Sequence, residues 1–202
     1  TFNKYSKIYS LRGLTGAEAA RRVLEDNRIY DVTIEPVAGN LTDHFDPRTQ
    51  TIRLSEGVYS SSSVAAIGVA AHEAGHAVQH DCDYFPMRIR SVIIPATRIG
   101  SYLSWPLIII GILLNFELLA TLGIALFGAV VLFQLVTLPV EYNASSRALD
   151  ALESTGVLYR EEIPGAKKVL SAAAMTYLAS LLMAVMQMLR LILLFGGGRR
   201  SD

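Results

Sequence analysis

From Leu103 to Val140 a single charged residue, Glu117, interrupts the chain, and from Ser171 to Leu189 there is none. About 20 apolar helical residues are enough to cross the hydrocarbon of a bilayer, so runs of this kind read as membrane spans. The first run is too long for one crossing, and Asn115-Phe116-Glu117 is its natural break. It predicts a helical hairpin, roughly 99–115 out and 118–138 back, with a third crossing after residue 168. Tyr102 and Trp105 lie near the start of the hairpin, where interfacial aromatics belong. A soluble bundle would keep a polar stripe on each surface helix, and these runs have none. The composition agrees: 51% of the residues are hydrophobic and 18% charged, against about a quarter charged in an ordinary soluble domain.

The chemistry lies elsewhere. Four histidines occur in the chain, and three of them, His72, His76 and His80, are clustered. In Ala71-His72-Glu73-Ala74-Gly75-His76 the two histidines stand four apart, on one face of a helix, so both imidazoles can bind one zinc ion. Glu73 is then beside the metal as general base, the arrangement of a metalloprotease. The surroundings read as a buried helix over about 62–80. Ser61-Ser62-Ser63 offers N-cap hydroxyls, and the residues from Val64 to Ala71 are apolar and free of proline. The plain alternative is a core helix with two satisfied histidines. Buried Glu and His need partners, however, and a metal supplies them.

The other charged segments build the rest of the soluble part. Thr15-Gly16-Ala17-Glu18 is a capping box that opens a short amphipathic helix to about Asn27. Val32 and Ile34 alternate with polar neighbours as a strand does, and Thr51-Ile52-Arg53-Leu54-Ser55 repeats the pattern after the Asp46-Pro47-Arg48 turn. Past the hairpin, a helix from Glu141 runs to about Ser154 and stops at Gly156, and Pro164 starts the helix that enters the membrane. The predicted fold is a mainly α membrane protein: a small α+β zincin-like catalytic part, built on the motif helix, plus about three transmembrane helices. Residues 1–90 form the first part of the catalytic unit, and 91–140 an interfacial segment and the hairpin. Residues 141–168 return to the catalytic unit with a third ligand, and 169–202 are the last membrane helix and its tail.

A catalytic zinc takes three protein ligands and leaves one position open. His44, His80, Glu141 and the acidic residues around Asp81 are the candidates for the third. His80 lies a further turn along the motif helix, too far down the axis to reach the same ion comfortably. Glu141 is the stronger choice. It follows directly on an uncharged span, in Leu138-Pro139-Val140-Glu141, where a carboxylate is costly unless paired or bound to a metal. A snorkelling interfacial Glu is the alternative.

Three segments together, Leu41-Thr42-Asp43-His44-Phe45-Asp46-Pro47, Gly68 to Ala77 and Leu138 to Ser145, resemble the YugP-type neutral zinc metallopeptidases of bacterial membranes, and the resemblance extends over nearly the whole chain. It implies a zinc-dependent membrane peptidase, and a further hydrophobic helix ahead of Thr1. A more distant similarity is to the gluzincin membrane proteases related to the prenyl-protein peptidase and the heat-shock protease HtpX. In those, a Glu-x-x-Ala-Asp pattern on a later helix supplies the third ligand. Carried over, Glu141 is that ligand and Ala144 matches. Ser145 replaces the Asp, and its hydroxyl can still orient a zinc-bound histidine.

These readings imply an endopeptidase that hydrolyses peptide bonds of membrane-associated or misfolded proteins near the bilayer surface. His72, His76 and Glu141 hold Zn2+ and Glu73 moves the proton. His44, Tyr142 and Arg147 are candidate donors to the oxyanion, and the strand at 50–55 is a place for an extended substrate to pair. A non-catalytic zinc-containing scaffold or assembly factor is the rival, since zinc can hold a fold without chemistry. Glu73 argues against it, because a structural site has no need of a general base. Arg88, Arg90, Arg98, Lys167 and Lys168 flank the spans on the motif side, which predicts a multi-pass bacterial membrane protein with a cytoplasmic active site. Arg199 and Arg200 in the tail oppose that orientation. The formal net charge of +0 gives no reason to expect nucleic acid.

Overall fold

Thr15 and Glu18 close the predicted capping box. The Glu18 carboxylate accepts from the Thr15 N–H at 2.7 Å, and the Thr15 hydroxyl accepts from the Glu18 N–H at 3.3 Å. The computed structural model describes residues 1–195, so the tail arginines, Arg199 and Arg200, lie outside the described residues. The elements run α1 (Phe2–Tyr5), α2 (Gly16–Asp26), β1 (Thr33–Val37), β2 (His44–Asp46), β3 (Thr51–Ser55), α3 (Glu56–Tyr59), α4 (Val64–Asp81), α5 (Phe85–Leu113), α6 (Glu117–Ser154) and α7 (Ile163–Phe195). Together they make a mainly α membrane protein with a small α+β part. Three of the helices, α5, α6 and α7, are long and apolar enough to cross a membrane.

The chain divides into two compact units: Thr1–Tyr84 with Val140–Met175, and Phe85–Pro139 with the residues from Thr176 onward. The first contains the sheet and α4. Its strands lie in the order β1-β3-β2, with β1 parallel and β2 antiparallel to β3. The central strand is therefore β3, whose Ile52 and Leu54 are fully buried against Val23 and Leu24 of α2 and Ile67 and Ala70 of α4, in one apolar core. This corrects one expectation. The strand at 50–55 has a neighbour on each side and no edge to offer a substrate; the outer edges belong to β1 and β2. The pattern at 51–55 marked a strand, but the three-residue β2 is too short to show an alternation.

In the second unit, α5 and α6 form a hairpin turned by Leu114-Asn115-Phe116, with Asn115 in the left-handed region at φ 51°. Close approach is allowed by small residues. A Cβ on Gly123 would lie 2.7 Å from the Ser104 carbonyl, and one on Gly111 2.5 Å from the Ala120 amide nitrogen. Trp105 packs on Phe127 with ring centroids 6.3 Å apart. The first hairpin helix begins at Phe85 rather than near residue 99. Arg88, Arg90 and Arg98 mark where apolar sequence starts, which is a different boundary from where helical geometry starts. Pro139 likewise leaves α6 unbroken. A proline costs a helix one N–H bond, and the helix resumes because the residues after it, Glu141 to Ser154, include neither glycine nor proline.

Candidate metal centre

α4 begins where the serine run predicts: the Ser63 hydroxyl caps it by accepting from the Ala66 N–H at 3.2 Å. Its interior is short side chains. Ala65, Ala66, Ala70, Ala71 and Ala74 are all fully buried, so neighbouring backbones can press close. The closest approach is at Gly75, between the two motif residues Ala74 and His76. A Cβ there would stand 2.6 Å from the backbone carbonyl oxygen of Ala144, on α6. Gly75→Ala should therefore push the two helices apart, at an overpacking cost of about 1–3 kcal/mol. A lowered thermal unfolding temperature, together with weakened zinc binding, is the result to look for; unchanged values of both would refute the close packing.

That contact brings Glu141 over the two histidines. Its side chain is almost completely enclosed, with 2% of the residue exposed. Glu141 Oε2 lies 3.2 Å from His72 Nε2 and 3.6 Å from His76 Nε2. One ligand atom from each of the three residues falls within 4.8 Å of the others, and the two rings meet edge to face at 4.7 Å. Zinc bonds of about 2.0–2.2 Å at tetrahedral angles place ligand atoms roughly 3.3–3.5 Å apart, and two imidazole nitrogens with a carboxylate oxygen are a common catalytic donor set. The residues fit the ion.

Electrostatics points the same way. Burial disfavours a cation on His76, yet the hydrogen bond to Glu141 and the negative charges of Glu73 and Glu141 outweigh it and raise the pKa of the imidazole. Two buried carboxylates around two imidazoles make a place where positive charge is favoured.

Glu73 is also buried, with 8% exposed, and it is held from an unexpected direction. Its Oε2 accepts from the backbone N–H of Phe45, in β2, at 3.0 Å. Oε1 takes no protein hydrogen bond among the described residues. One oxygen is anchored and the other is open. The conspicuous segment around Phe45 explains itself here. The Asp43 carboxylate accepts from the N–H of Ser55 at 2.7 Å and from its hydroxyl at 3.0 Å, fastening β2 to the end of β3. Asp46 accepts from the Arg48 N–H at 2.9 Å, a bond that lowers its pKa, and pairs with Arg53 at 3.5 Å. Phe45 lies opposite Ile52, and its N–H is turned outward to the glutamate.

The far side of each histidine ring is also held. The Ser145 hydroxyl meets His72 Nδ1 at 3.1 Å, and Gln79 Oε1 meets His76 Nδ1 at 3.0 Å. Ser145 stands where the resemblance put an Asp. Gln79, like the Phe45 amide, has no signal in the sequence beyond its position three residues after His76.

The remaining candidates lie apart from the group of three. His80 Nε2 reaches the Pro47 carbonyl at 3.4 Å. His44 is exposed and its Nδ1 lies 2.8 Å from the Thr42 carbonyl. Arg147 Nε donates to Asn143 Oδ1 at 2.9 Å, and Tyr142 is 46% exposed.

Comparisons with known proteins add to this geometry. The family described as "Putative neutral zinc metallopeptidase" matches residues 1–196. A relative from Bacillus subtilis (strain 168), "Putative membrane protease YugP", is 49% identical over 201 residues, which is 100% of this chain and 89% of the relative. No solved structure matches.

Proposed function

The chain belongs to the family of "Putative neutral zinc metallopeptidase" proteins, and from that premise we propose that it is a membrane-embedded endopeptidase acting on membrane-associated or misfolded proteins. The observation that carries the reading is the convergence of His72, His76 and Glu141, with a buried Glu73 whose charge acts on His76 and whose carboxylate is anchored by one oxygen. A purely structural zinc site gives no reason to anchor one oxygen of a buried glutamate and leave the other open, which weighs against a scaffold.

His72 Nε2, His76 Nε2 and Glu141 Oε2 would hold the ion. Zinc, when bound, supplies Lewis acidity, lowering the pKa of a water towards 7 and polarising the scissile carbonyl. Glu73 Oε1 takes the proton from the attacking water and later delivers it to the leaving amine nitrogen. The Phe45 N–H holds the other oxygen throughout, so the carboxylate does not have to find its orientation during the reaction. An extended substrate pairs with the outer edge of β2. In a strand the carbonyl of a residue points to the same side as its N–H, so the Phe45 carbonyl is the acceptor beside the base.

Glu141 directly follows the uncharged stretch of its own helix, which supports substrates cut close to the bilayer surface. Arg88, Arg90, Arg98, Lys167 and Lys168, against the lone Glu117 of the hairpin turn, support a cytoplasmic active site.

The test is a cleavage assay on an unfolded protein, using the full chain in detergent. Chelation with 1,10-phenanthroline should abolish cleavage, and a stoichiometric return of zinc should restore it. Stoichiometric zinc with no turnover on any unfolded or membrane substrate would favour the scaffold.

A further inference from the structure

Gln79 is a neutral side chain with no exposed surface, yet every hydrogen-bonding group it has is in use. We propose that Gln79 is a positioning residue: it imposes the metal-ready tautomer on His76 and ties that ring to the turn of α6 that carries Glu141. The inference rests on His76 and Glu141 being zinc ligands and deepens that reading.

The tautomer is fixed by groups that have no choice of role. The Val140 carbonyl can only accept, and Gln79 Nε2 lies 2.8 Å from it, so the NH2 end of the amide faces α6. Arg147 can only donate. Its Nε lies 2.9 Å from Asn143 Oδ1, so the oxygen of Asn143 faces inward and takes the second Gln79 N–H at 2.9 Å. With both N–H groups spent on α6, Gln79 Oε1 is the atom left for His76. An amide oxygen only accepts, so His76 Nδ1 carries the hydrogen, across 3.0 Å. The lone pair of the neutral ring is then on Nε2, the atom 3.6 Å from Glu141 Oε2. The chain Arg147, Asn143, Gln79, His76 thus runs from an obligate donor to a bare nitrogen aimed into the site.

The two histidines differ in this respect. Ser145 can donate or accept by rotating its hydroxyl, so its contact with His72 orients the ring without choosing a tautomer. Gln79 chooses. It also acts on two ligands together, because Val140 immediately precedes Glu141.

The experiment measures zinc affinity and the visible spectrum of the cobalt-substituted full chain in detergent. Gln79→Met keeps length and volume and removes every polar contact. It should weaken zinc about 10–100-fold, the usual cost of losing the partner that orients a ligating histidine, and shift the cobalt absorption bands. Asn143→Leu leaves Gln79 in place and frees one of its N–H groups; it should weaken zinc less, and add little to Gln79→Met in the double variant. A side chain that only packs α4 on α6 would lower the unfolding temperature but leave affinity and spectrum unchanged. Native affinity and spectrum in the folded single variants, or fully additive losses, would overturn the proposal. Should Gln79→Met fail to fold, Asn143→Leu alone decides by the same readouts. His76→Ala separates the two levels: if it keeps zinc, the ligand assignment itself fails, whereas its losing zinc while Gln79→Met does not would discard only the relay.

Discussion

Glu73→Gln is expected to keep zinc at wild-type stoichiometry and to cleave roughly a thousandfold more slowly, within the 10²–10⁴ that a positioned general base contributes. The substitution is nearly isosteric in a buried pocket. Its amide oxygen can still accept the Phe45 N–H that Glu73 Oε2 accepts at 3.0 Å, so the side chain stays anchored. What changes is the other position, where an NH2 group replaces the free oxygen and no proton can be taken up. Removal of one negative charge near His76 should cost only a small part of the zinc affinity. Turnover at the wild-type rate, or loss of the metal, would remove Glu73 from the mechanism.

The second large effect is on the metal itself. Glu141→Gln should weaken zinc by more than about 100-fold, beyond the range for partners that merely orient a ligand. Both His72 and His76 direct Nε2 at this carboxylate, at 3.2 and 3.6 Å. A neutral amide is a poor zinc ligand, and it removes one of two buried negative charges that make the site attractive to a cation. Zinc stabilises whatever it binds by mass action. The thermal shift that zinc gives to wild type should accordingly vanish in the variant. Metal content by mass spectrometry after gel filtration checks the first expectation. A variant that retained one zinc per chain at native affinity would leave the third ligand to be sought elsewhere.

How far the chain could be read in advance depended on how local each signal was. The uncharged runs announce three long apolar helices because hydropathy needs no partner. The spacing of His72 and His76 is similarly local, since a helix alone puts residues four apart on one face. Glu141 was legible for a thermodynamic reason, the cost of an unpaired carboxylate beside a span, and the structure places its oxygen between the two imidazoles. Their service as ligands is the part the zinc measurements must establish.

Nothing comparable marks Gln79 or the Phe45 amide. One is an ordinary polar residue whose importance comes from Val140 and Asn143, both remote in sequence. The other is a backbone group, which every residue except proline possesses. Gly75 is hidden for the same reason: its lack of a side chain matters only because Ala144 lies against it. The misplacement of the substrate edge at 51–55 has a related cause. Alternation shows that a strand is present but not how many neighbours it has, and this one has two.

The continuity of α6 bears on how such a chain can change over generations. Glu117 to Ser154 is a single helix, so Glu141 and the apolar stretch before it share one helical phase. Each residue added or lost turns the downstream part of the helix by about 100° and moves it about 1.5 Å along the axis. Substitutions within the apolar stretch leave that setting alone, and a drift from Leu to Ile or Val there is nearly silent for the carboxylate. A single-codon insertion or deletion between Leu118 and Val140 is not silent, because it turns Glu141, Ala144 and Ser145 together by about 100° relative to the apolar stretch of the same helix. Length variation in the turn at Leu114-Asn115-Phe116 leaves that phase as it is, whereas one residue more or less in the long helix beyond resets it by about 100°.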